Sequence, residues 1–249
     1  MPLDMHAHVD PAISPSSLRE LNAVVFVATK SPTDAEAGIR RQDEYTVWGV
    51  GTHPGLVRVQ KAFDARTFAA LVRRTPYVGE IGLDGASRVD MQLQTETFNS
   101  VLRILDGYPR LASVHSYRAT AEVIDLLRDH QCRGLILHWW LGTPAETRAA
   151  VDLGCFFSIN LSSVRRTDLL LHIPPSRVLT ETDHPAGDRF GRDPRPGQVS
   201  DVERMLADHY GLSADHMREQ IWRNLDAMIT DCEIEQMLPR KIRVQLATL

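Results

Sequence analysis

The stretch from residue 77 to residue 84 reads Tyr-Val-Gly-Glu-Ile-Gly-Leu-Asp. Its apolar residues are those of a short buried strand, yet they enclose one carboxylate, Glu80. Burial of an isolated carboxylate is costly unless the group is paired or bound to a metal ion. This stretch therefore predicts a buried strand whose carboxylate has a partner. If Glu80 bound between two cations, the energetic cost of burying its charge would be removed.

Seven more apolar runs of this kind lie on either side of residues 77–84. Between most of them lie helix-like stretches, such as the one in which Phe98, Val101 and Leu102 share a face. Alternation of strand and helix favours a parallel sheet with helical crossovers, and eight repeats in 249 residues favour closure into a barrel over an open doubly wound sheet. We expect a single-domain α/β fold, a (β/α)8 TIM barrel. The other runs are residues 3–5, 24–28, 46–50, 111–114, 135–137, 156–159 and 177–180.

Three segments follow the eighth run. Residues 183–197 are dense in Pro, Gly and charge, which predicts a long loop at the barrel mouth. Helices are expected near residues 201–210 and 214–229, with Ser200 and Ser213 as N-caps. Residues 1–231 are assigned to the barrel, and residues 232–249 to a C-terminal tail of uncertain role. The atypical loop 186–197 and this tail are candidate surfaces for a protein partner.

Composition excludes some classes of function. A net charge of −4 and a pI near 6.2 give no global basic field, so tight non-specific binding to nucleic acid or an acidic membrane is not implied. Cys132, Cys155 and Cys232 lie far apart without C-x-x-C spacing, which argues against a disulfide framework and a zinc-thiolate site. No signal peptide or transmembrane stretch is visible, so a cytoplasmic location is expected.

Polar groups stand at the ends of other predicted strands as well. His6 and His8 are two residues apart and would share one face of the first strand. His115 and His138 each follow an apolar run directly, and Asp183 ends another. A single such histidine is more often a core or capping residue, but five strand ends that follow one rule indicate a shared site. Four imidazoles and two carboxylates suit two divalent ions better than one, with Glu80 as the bridge.

The motifs resemble a known family in their order and approximate spacing. The resemblance is to TatD-type metal-dependent deoxyribonucleases, and it spans roughly residues 3–229. It implies a TIM barrel with a divalent-metal site that hydrolyses phosphodiester bonds in DNA, often from the 3′ end. The matching strings are Asp4-Met5-His6-Ala7-His8, Gly51-Thr52-His53-Pro54, Gly79-Glu80-Ile81-Gly82-Leu83-Asp84, His115-Ser116, His138 and Glu181-Thr182-Asp183-His184-Pro185.

The resemblance also implies roles for particular residues. The resemblance implies two divalent metal ions, which would be Mg, Mn or Zn. A water molecule activated by these ions would be the nucleophile. Glu80 and Asp183 are the expected catalytic residues, since Asp183 would also orient that water or take its proton. The implied ligands are His6, His8 and Asp183 for the first ion and His115 and His138 for the second, with Glu80 between the two ions.

Three residues are candidates for substrate contacts. His53 would touch a phosphate or the leaving group, and the alternative is a turn histidine before Pro54. Arg118 would clamp a phosphate, and the alternative is a solvated arginine at a helix start. His184 is included because it adjoins Asp183.

The sequence leaves rival functions open. Gly85 and Trp139-Trp140 depart from the usual family pattern, so the shape of the substrate stays open. Three aromatic residues are candidates for stacking on a base, and they are Trp139, Trp140 and Tyr117. The leading hypothesis is a deoxyribonuclease acting on single-stranded DNA or on 3′ ends. The alternatives are a dinuclear hydrolase of an amide, an ester or a small phosphodiester, or a partner-dependent subunit of a larger nucleic-acid-processing or defence assembly.

Overall fold

Parallel strands form the inner layer of the structure, a computed structural model that describes residues 1–186 and 195–249. All eight predicted apolar runs form strands, and their ends lie within two residues of those predicted. The strands are β1 (Leu3–Ala7), β2 (Val24–Val27), β3 (Thr46–Trp48), β4 (Tyr77–Gly82), β5 (Leu111–His115), β6 (Leu135–His138), β7 (Phe156–Ile159) and β8 (Val178–Thr180).

The strands close into a barrel. Strands β1 to β3 form one parallel sheet in sequence order, and β4 to β8 form another. Val50 and Val78 form a parallel bridge that joins β3 to β4. At the other junction, the Thr180 hydroxyl donates a hydrogen bond to the Leu3 carbonyl over 2.5 Å. The expected TIM barrel is therefore confirmed.

Helices cover the outside of the barrel. Ser213 accepts a hydrogen bond from the His216 amide and caps its helix as predicted. The prediction for Ser200 is wrong, because the helix begins at Ser200 itself and Val199 takes the N-cap position. The helices are α1 (Pro15–Glu20), α2 (Pro32–Ile39), α3 (Val57–Lys61), α4 (Ala65–Val72), α5 (Met91–Gly107), α6 (Thr120–Arg128), α7 (Pro144–Asp152), α8 (Thr167–Leu170), α9 (Ser200–Tyr210), α10 (Ala214–Cys232) and α11 (Arg240–Leu246).

The C-terminal segment packs onto the barrel. Asn224 on α10 donates to the carbonyls of Pro175 and Val178 over 2.8 and 2.7 Å, which fixes that helix against β8. Beyond it, Ile234 and Ile242 are buried in the main hydrophobic core. The predicted boundary at residue 231 therefore falls inside α10, and a separate role for residues 232–249 stays a prediction.

The structure describes only part of the predicted partner surface. Of loop 186–197, residues 187–194 lie outside the described residues. A role of this segment in binding a protein stays a prediction. Among the residues that the structure does describe, no helix is both long and apolar enough to cross a membrane.

A close backbone approach places the carboxylate of β4 at the barrel mouth. The Glu80 amide donates to the Thr29 carbonyl over 3.0 Å, and the Thr52 amide donates to the Glu80 carbonyl over 2.9 Å. Gly51 lies between the backbone at Thr29 and the backbone at Glu80. A Cβ atom on Gly51 would lie 1.8 Å from the Thr29 oxygen and 2.5 Å from the Glu80 nitrogen. Only a glycine leaves room for this contact.

We predict that Gly51→Ala lowers the free energy of unfolding by more than about 2 kcal/mol, because the backbone has to move apart. Gly107→Ala is the matched control, since a Cβ there meets nothing within 4 Å. The control should change the free energy by less than about 1 kcal/mol. Urea unfolding of both variants measures the difference, and equal stabilities would contradict the prediction.

Candidate metal centre

The predicted ligands converge at the carboxyl ends of the strands. The Glu80 carboxylate lies at their centre, with Oε2 3.4 Å from His8 Nε2 and 3.9 Å from His6 Nε2. Its other oxygen, Oε1, lies 2.6 Å from His115 Nδ1 and 3.3 Å from His138 Nε2. The two carboxylate oxygens thus face different histidines.

Asp183 joins the group from the other side of the barrel. Its Oδ1 atom lies 3.7 Å from Nε2 of both His6 and His8. The structure therefore brings all six predicted ligands together. Three overlapping triads have donor atoms within 4.8 Å of one another, and they are His6, His8 and Glu80; Glu80, His115 and His138; and His6, His138 and Asp183.

Unpaired polar atoms inside the cluster fit a bound cation. His6 Nε2 and Glu80 Oε2 are buried and have no hydrogen-bond partner among the described residues, although each faces the other across 3.9 Å. Buried polar atoms almost always have a partner, so a pair of such atoms facing one gap requires an explanation. Imidazole nitrogen and carboxylate oxygen are donors that divalent transition metals accept. The residues present therefore fit a divalent-metal centre.

Contacts behind the histidines orient their rings. His8 Nδ1 lies 2.8 Å from the Ala28 carbonyl, which accepts the Nδ1 proton and leaves the Nε2 lone pair facing Glu80. His6 Nδ1 lies 2.6 Å from the Ser113 hydroxyl. Outer contacts of this kind fix the orientation of metal-binding histidines. Both rings are thus held ready to present Nε2 to a shared ion.

Glu181 supports His138 from behind. Its Oε1 accepts hydrogen bonds from the Trp139 amide and from Asn160 Nδ2, both over 3.0 Å, and its Oε2 accepts one from the Ser158 hydroxyl. The same carboxylate lies 3.6 Å from His138 Nδ1. Glu181 is fully buried, and its contact with the predicted ligands is through His138.

Burial and mutual charge set the protonation of the cluster. Burial opposes ionisation of Glu80, but His53 and His115 outweigh it and hold the pKa of this carboxyl well below its usual range. Burial and the charge of His138 lower the pKa of His6 well below its usual value. Glu80 is therefore a carboxylate and His6 a neutral imidazole at neutral pH, which are the forms that bind a cation.

The pKa values of His138 and Asp183 are shifted upwards instead. Burial opposes the charged form of His138, but the carboxylate of Glu181 outweighs it and raises the pKa of this ring well above its usual value. Burial raises the pKa of Asp183 to about 7. Protons therefore compete with cations for the centre, so metal binding should release protons.

The three predicted substrate residues lie in different places. His53 faces the centre, with Nε2 3.4 Å from Glu80 Oε2. Arg118 is exposed beside the cavity over the centre, with its guanidinium 5.4 Å from the ring centre of Tyr117. His184 lines an adjoining cleft together with Val9 and Pro196. The structure brings only His53 of these three into the cluster.

A cavity of about 290 Å³ opens over the centre. Trp139 and Tyr117 line it, whereas Trp140 is buried in the core and donates its indole N–H to Thr147 over 2.8 Å. Lys30 also lines this cavity, and we did not predict it from the sequence. Lys30 stands three residues after β2, beyond the strand-end positions at which the sequence analysis looked for ligands.

The backbone adopts an unfavourable conformation at three positions around the mouth. Arg118, Trp139 and Asp183 have φ angles of 54°, 41° and 48°, in the left-handed region that non-glycine residues seldom adopt. Arg118 and Trp139 follow strand ends that carry predicted ligands, and Asp183 is itself a predicted ligand. Such strain concentrates at functional sites, where the surrounding structure maintains it.

The model of the family of TatD-related DNases matches residues 3–230. The chain belongs to this family. A TATDN3 protein of Mus musculus is 31% identical over 157 residues, which are 59% of this chain and 53% of that protein. The 3′-5′ ssDNA/RNA exonuclease TatD of Edwardsiella piscicida is 31% identical over 179 residues, which are 66% of this chain and 68% of that protein. The match to the mouse relative thus spans about half of its length.

A solved structure shows the same fold in a TatD homologue. The structure of YJJV from Escherichia coli superposes with a TM-score of 0.80 at 19% identity, and the match covers 91% of this chain and 96% of that one. At this identity the likeness concerns the fold alone. It agrees with the TatD barrel described above.

We predict that Glu181→Gln lowers the affinity of the TatD-type centre for Mn²⁺ by about 10–100-fold, as loss of an outer carboxylate does in other metal sites. The amide oxygen can keep the bonds from Trp139 and Asn160, so the change removes mainly the charge behind His138. Calorimetric titration measures the affinity, with the exposed Glu122→Gln as control. Unchanged affinity in Glu181→Gln would show that this carboxylate does not support the centre.

Proposed function

We propose that this chain is a metal-dependent deoxyribonuclease that hydrolyses phosphodiester bonds at 3′ ends of DNA. The observation that carries the proposal is the position of Glu80 in an open cavity, where Oε2 faces His6 and His8 and Oε1 faces His115 and His138. Membership of the TatD-related DNases supports it, as does the name of the Edwardsiella relative, a 3′-5′ ssDNA/RNA exonuclease.

The proposal includes two divalent ions, of Mg, Mn or Zn. His6, His8 and Asp183 would hold one, together with Glu80 Oε2. His115 and His138 would hold the other, together with Glu80 Oε1. Bound ions of this kind lower the pKa of water and stabilise charge on the attacking and leaving oxygens of a phosphodiester.

Asp183 and His53 would act on protons beside the phosphate. A carboxyl whose pKa burial raises to about 7 can accept a proton from water near neutral pH, and Asp183 meets that condition. His53 Nδ1 accepts the Gly55 amide over 2.9 Å, so the proton of its neutral ring is on Nε2. Burial lowers the pKa of His53, which keeps the ring neutral. Its Nε2–H would donate to a phosphate oxygen.

The size of the cavity favours the end of a strand as substrate. About 290 Å³ lies at the lower limit of the roughly 300–1,000 Å³ typical of ligand pockets, which suits one terminal nucleotide. Trp139 and Tyr117 line it, and a base would stack there as bases do on aromatic residues of proteins that bind single strands. Lys30 and Arg118 would contact phosphates. The proposal includes a cytoplasmic location, which three free cysteines support.

The deciding experiment is cleavage of single-stranded DNA labelled at its 3′ or 5′ end, with Mg²⁺ or Mn²⁺. We expect stepwise loss of nucleotides from the 3′ end, abolished by chelator and lowered at least about 100-fold in Glu80→Gln, because each ion loses a ligand. Glu122→Gln, exposed on α6, is the matched control and should keep full activity. Intact DNA in the presence of metal-loaded protein would contradict the proposal.

We also predict that Lys30→Gln weakens binding of single-stranded DNA, because one phosphate contact is lost. For one contact, the slope of log affinity against log salt should fall in magnitude by about 0.7. A strand with a phosphorothioate 3′ end keeps cleavage slow during the measurement. The control is Lys61→Gln on α3, which lies outside the cavity lining and should leave the slope unchanged. Identical slopes in all three proteins would exclude Lys30 from phosphate binding.

A further inference from the structure

A second cluster of metal-binding side chains lies at the opposite end of the barrel. Asp106 stands one residue before the end of α5, and His130 and Cys132 stand in the segment between α6 and β6. Segments that lead from a helix into a strand lie at the amino ends of barrel strands, away from the mouth. This cluster is therefore separate from the centre around Glu80.

We propose that Asp106, His130 and Cys132 form a separate site for one zinc-type divalent ion. Their donor atoms lie within 4.8 Å of one another. Asp106 Oδ2 lies 2.5 Å from His130 Nδ1, and Asp106 Oδ1 lies 3.2 Å from Cys132 Sγ. Oxygen, nitrogen and sulfur together are a donor set that Zn²⁺ accepts and that Mg²⁺ does not.

A contact behind His130 sets the ring for coordination through Nδ1. His130 Nε2 lies 2.7 Å from Asn99 Oδ1, so Nε2 carries a proton and donates it to the amide oxygen. Nδ1 carries a proton as well, which it donates to Asp106 Oδ2 over 2.5 Å, and this proton has to leave before Nδ1 can bind an ion. Metal-binding histidines commonly donate their other N–H to an oxygen in this way. His130 is also nearly buried, with its side chain 7% exposed.

The charges of the three donors match one divalent cation. Asp106 and a Cys132 thiolate together carry two negative charges, and the neutral His130 adds none. Without an ion, the Cys132 thiol donates its hydrogen to Asp106 Oδ1. On binding, the Cys132 S–H bond and the His130 Nδ1–H bond would break, S–metal and N–metal bonds would form, and both protons would pass to solvent.

Small movements would admit the ion. Ligands about 2.0–2.3 Å from a tetrahedral Zn²⁺ lie roughly 3.4 Å or more from one another, so the Asp106–His130 pair has to open by about 1 Å. The Asp106 side chain is 33% exposed and can make that adjustment, and a water would fill the fourth position. The absence of C-x-x-C spacing argues against a site made of several thiolates and does not bear on a site with a single one.

Co²⁺ binding provides a specific test, because a thiolate bound to Co²⁺ gives a near-ultraviolet charge-transfer band. None of the ligands around Glu80 contains sulfur, so that centre gives no such band whatever its function. We expect the band on titrating the full chain with Co²⁺, its loss in Cys132→Ser and in Asp106→Asn, and its retention in Glu80→Gln. Cys155→Ser is the matched control, since that buried thiol belongs to no such cluster in the described residues.

Native mass spectrometry of Zn²⁺-loaded protein gives a second readout. Wild-type protein should hold one more Zn²⁺ ion than Cys132→Ser or Asp106→Asn, and circular dichroism establishes that each variant is folded. The absence of a band in folded wild-type protein, or a band that persists in folded Cys132→Ser, would overturn the proposal. The side chains would then only hold the turn before β6, where Asp106 also accepts the Gln131 amide over 2.9 Å.

Discussion

An ionised carboxylate inside a barrel of apolar strands is the constraint on which the rest of this structure depends. Glu80 is 2% exposed, and a carboxylate at that depth is unstable without compensating charge. His115 on β5 and His138 on β6 supply part of that compensation, and cations would supply more of it. Gly51 is part of the same arrangement, because its missing side chain lets the backbone on either side hold Glu80 in position.

The first and last strands contribute through a buried hydrogen-bond network around Asp4. This carboxylate accepts hydrogen bonds from the His6 amide, from the amide and hydroxyl of Thr182, and from the Gly197 amide. It thereby ties the strand that carries His6 and His8 to the strand end that carries Asp183. Asp4 therefore links β1 to the segment after β8, and these two parts of the chain carry His6 and Asp183.

The sequence predicts the barrel and the six ligands because both follow local rules. Apolar runs locate the strands, and a polar residue just beyond a run locates a ligand. Contacts between distant residues leave no such trace: Ser113 supports His6 across 107 positions, and nothing in the string around Ser113 indicates it. Trp139 and Trp140 are neighbours in an aromatic pair, yet only the fold shows that one lines the cavity and the other fills the core.

The proposal that Glu80 would hold two divalent ions can be tested by anomalous X-ray scattering from crystals grown with Mn²⁺. We expect two peaks at the barrel mouth, one beside each Glu80 oxygen, with His6, His8 and Asp183 around the first and His115 and His138 around the second. A single peak, or two peaks that Glu80 does not touch, would contradict it.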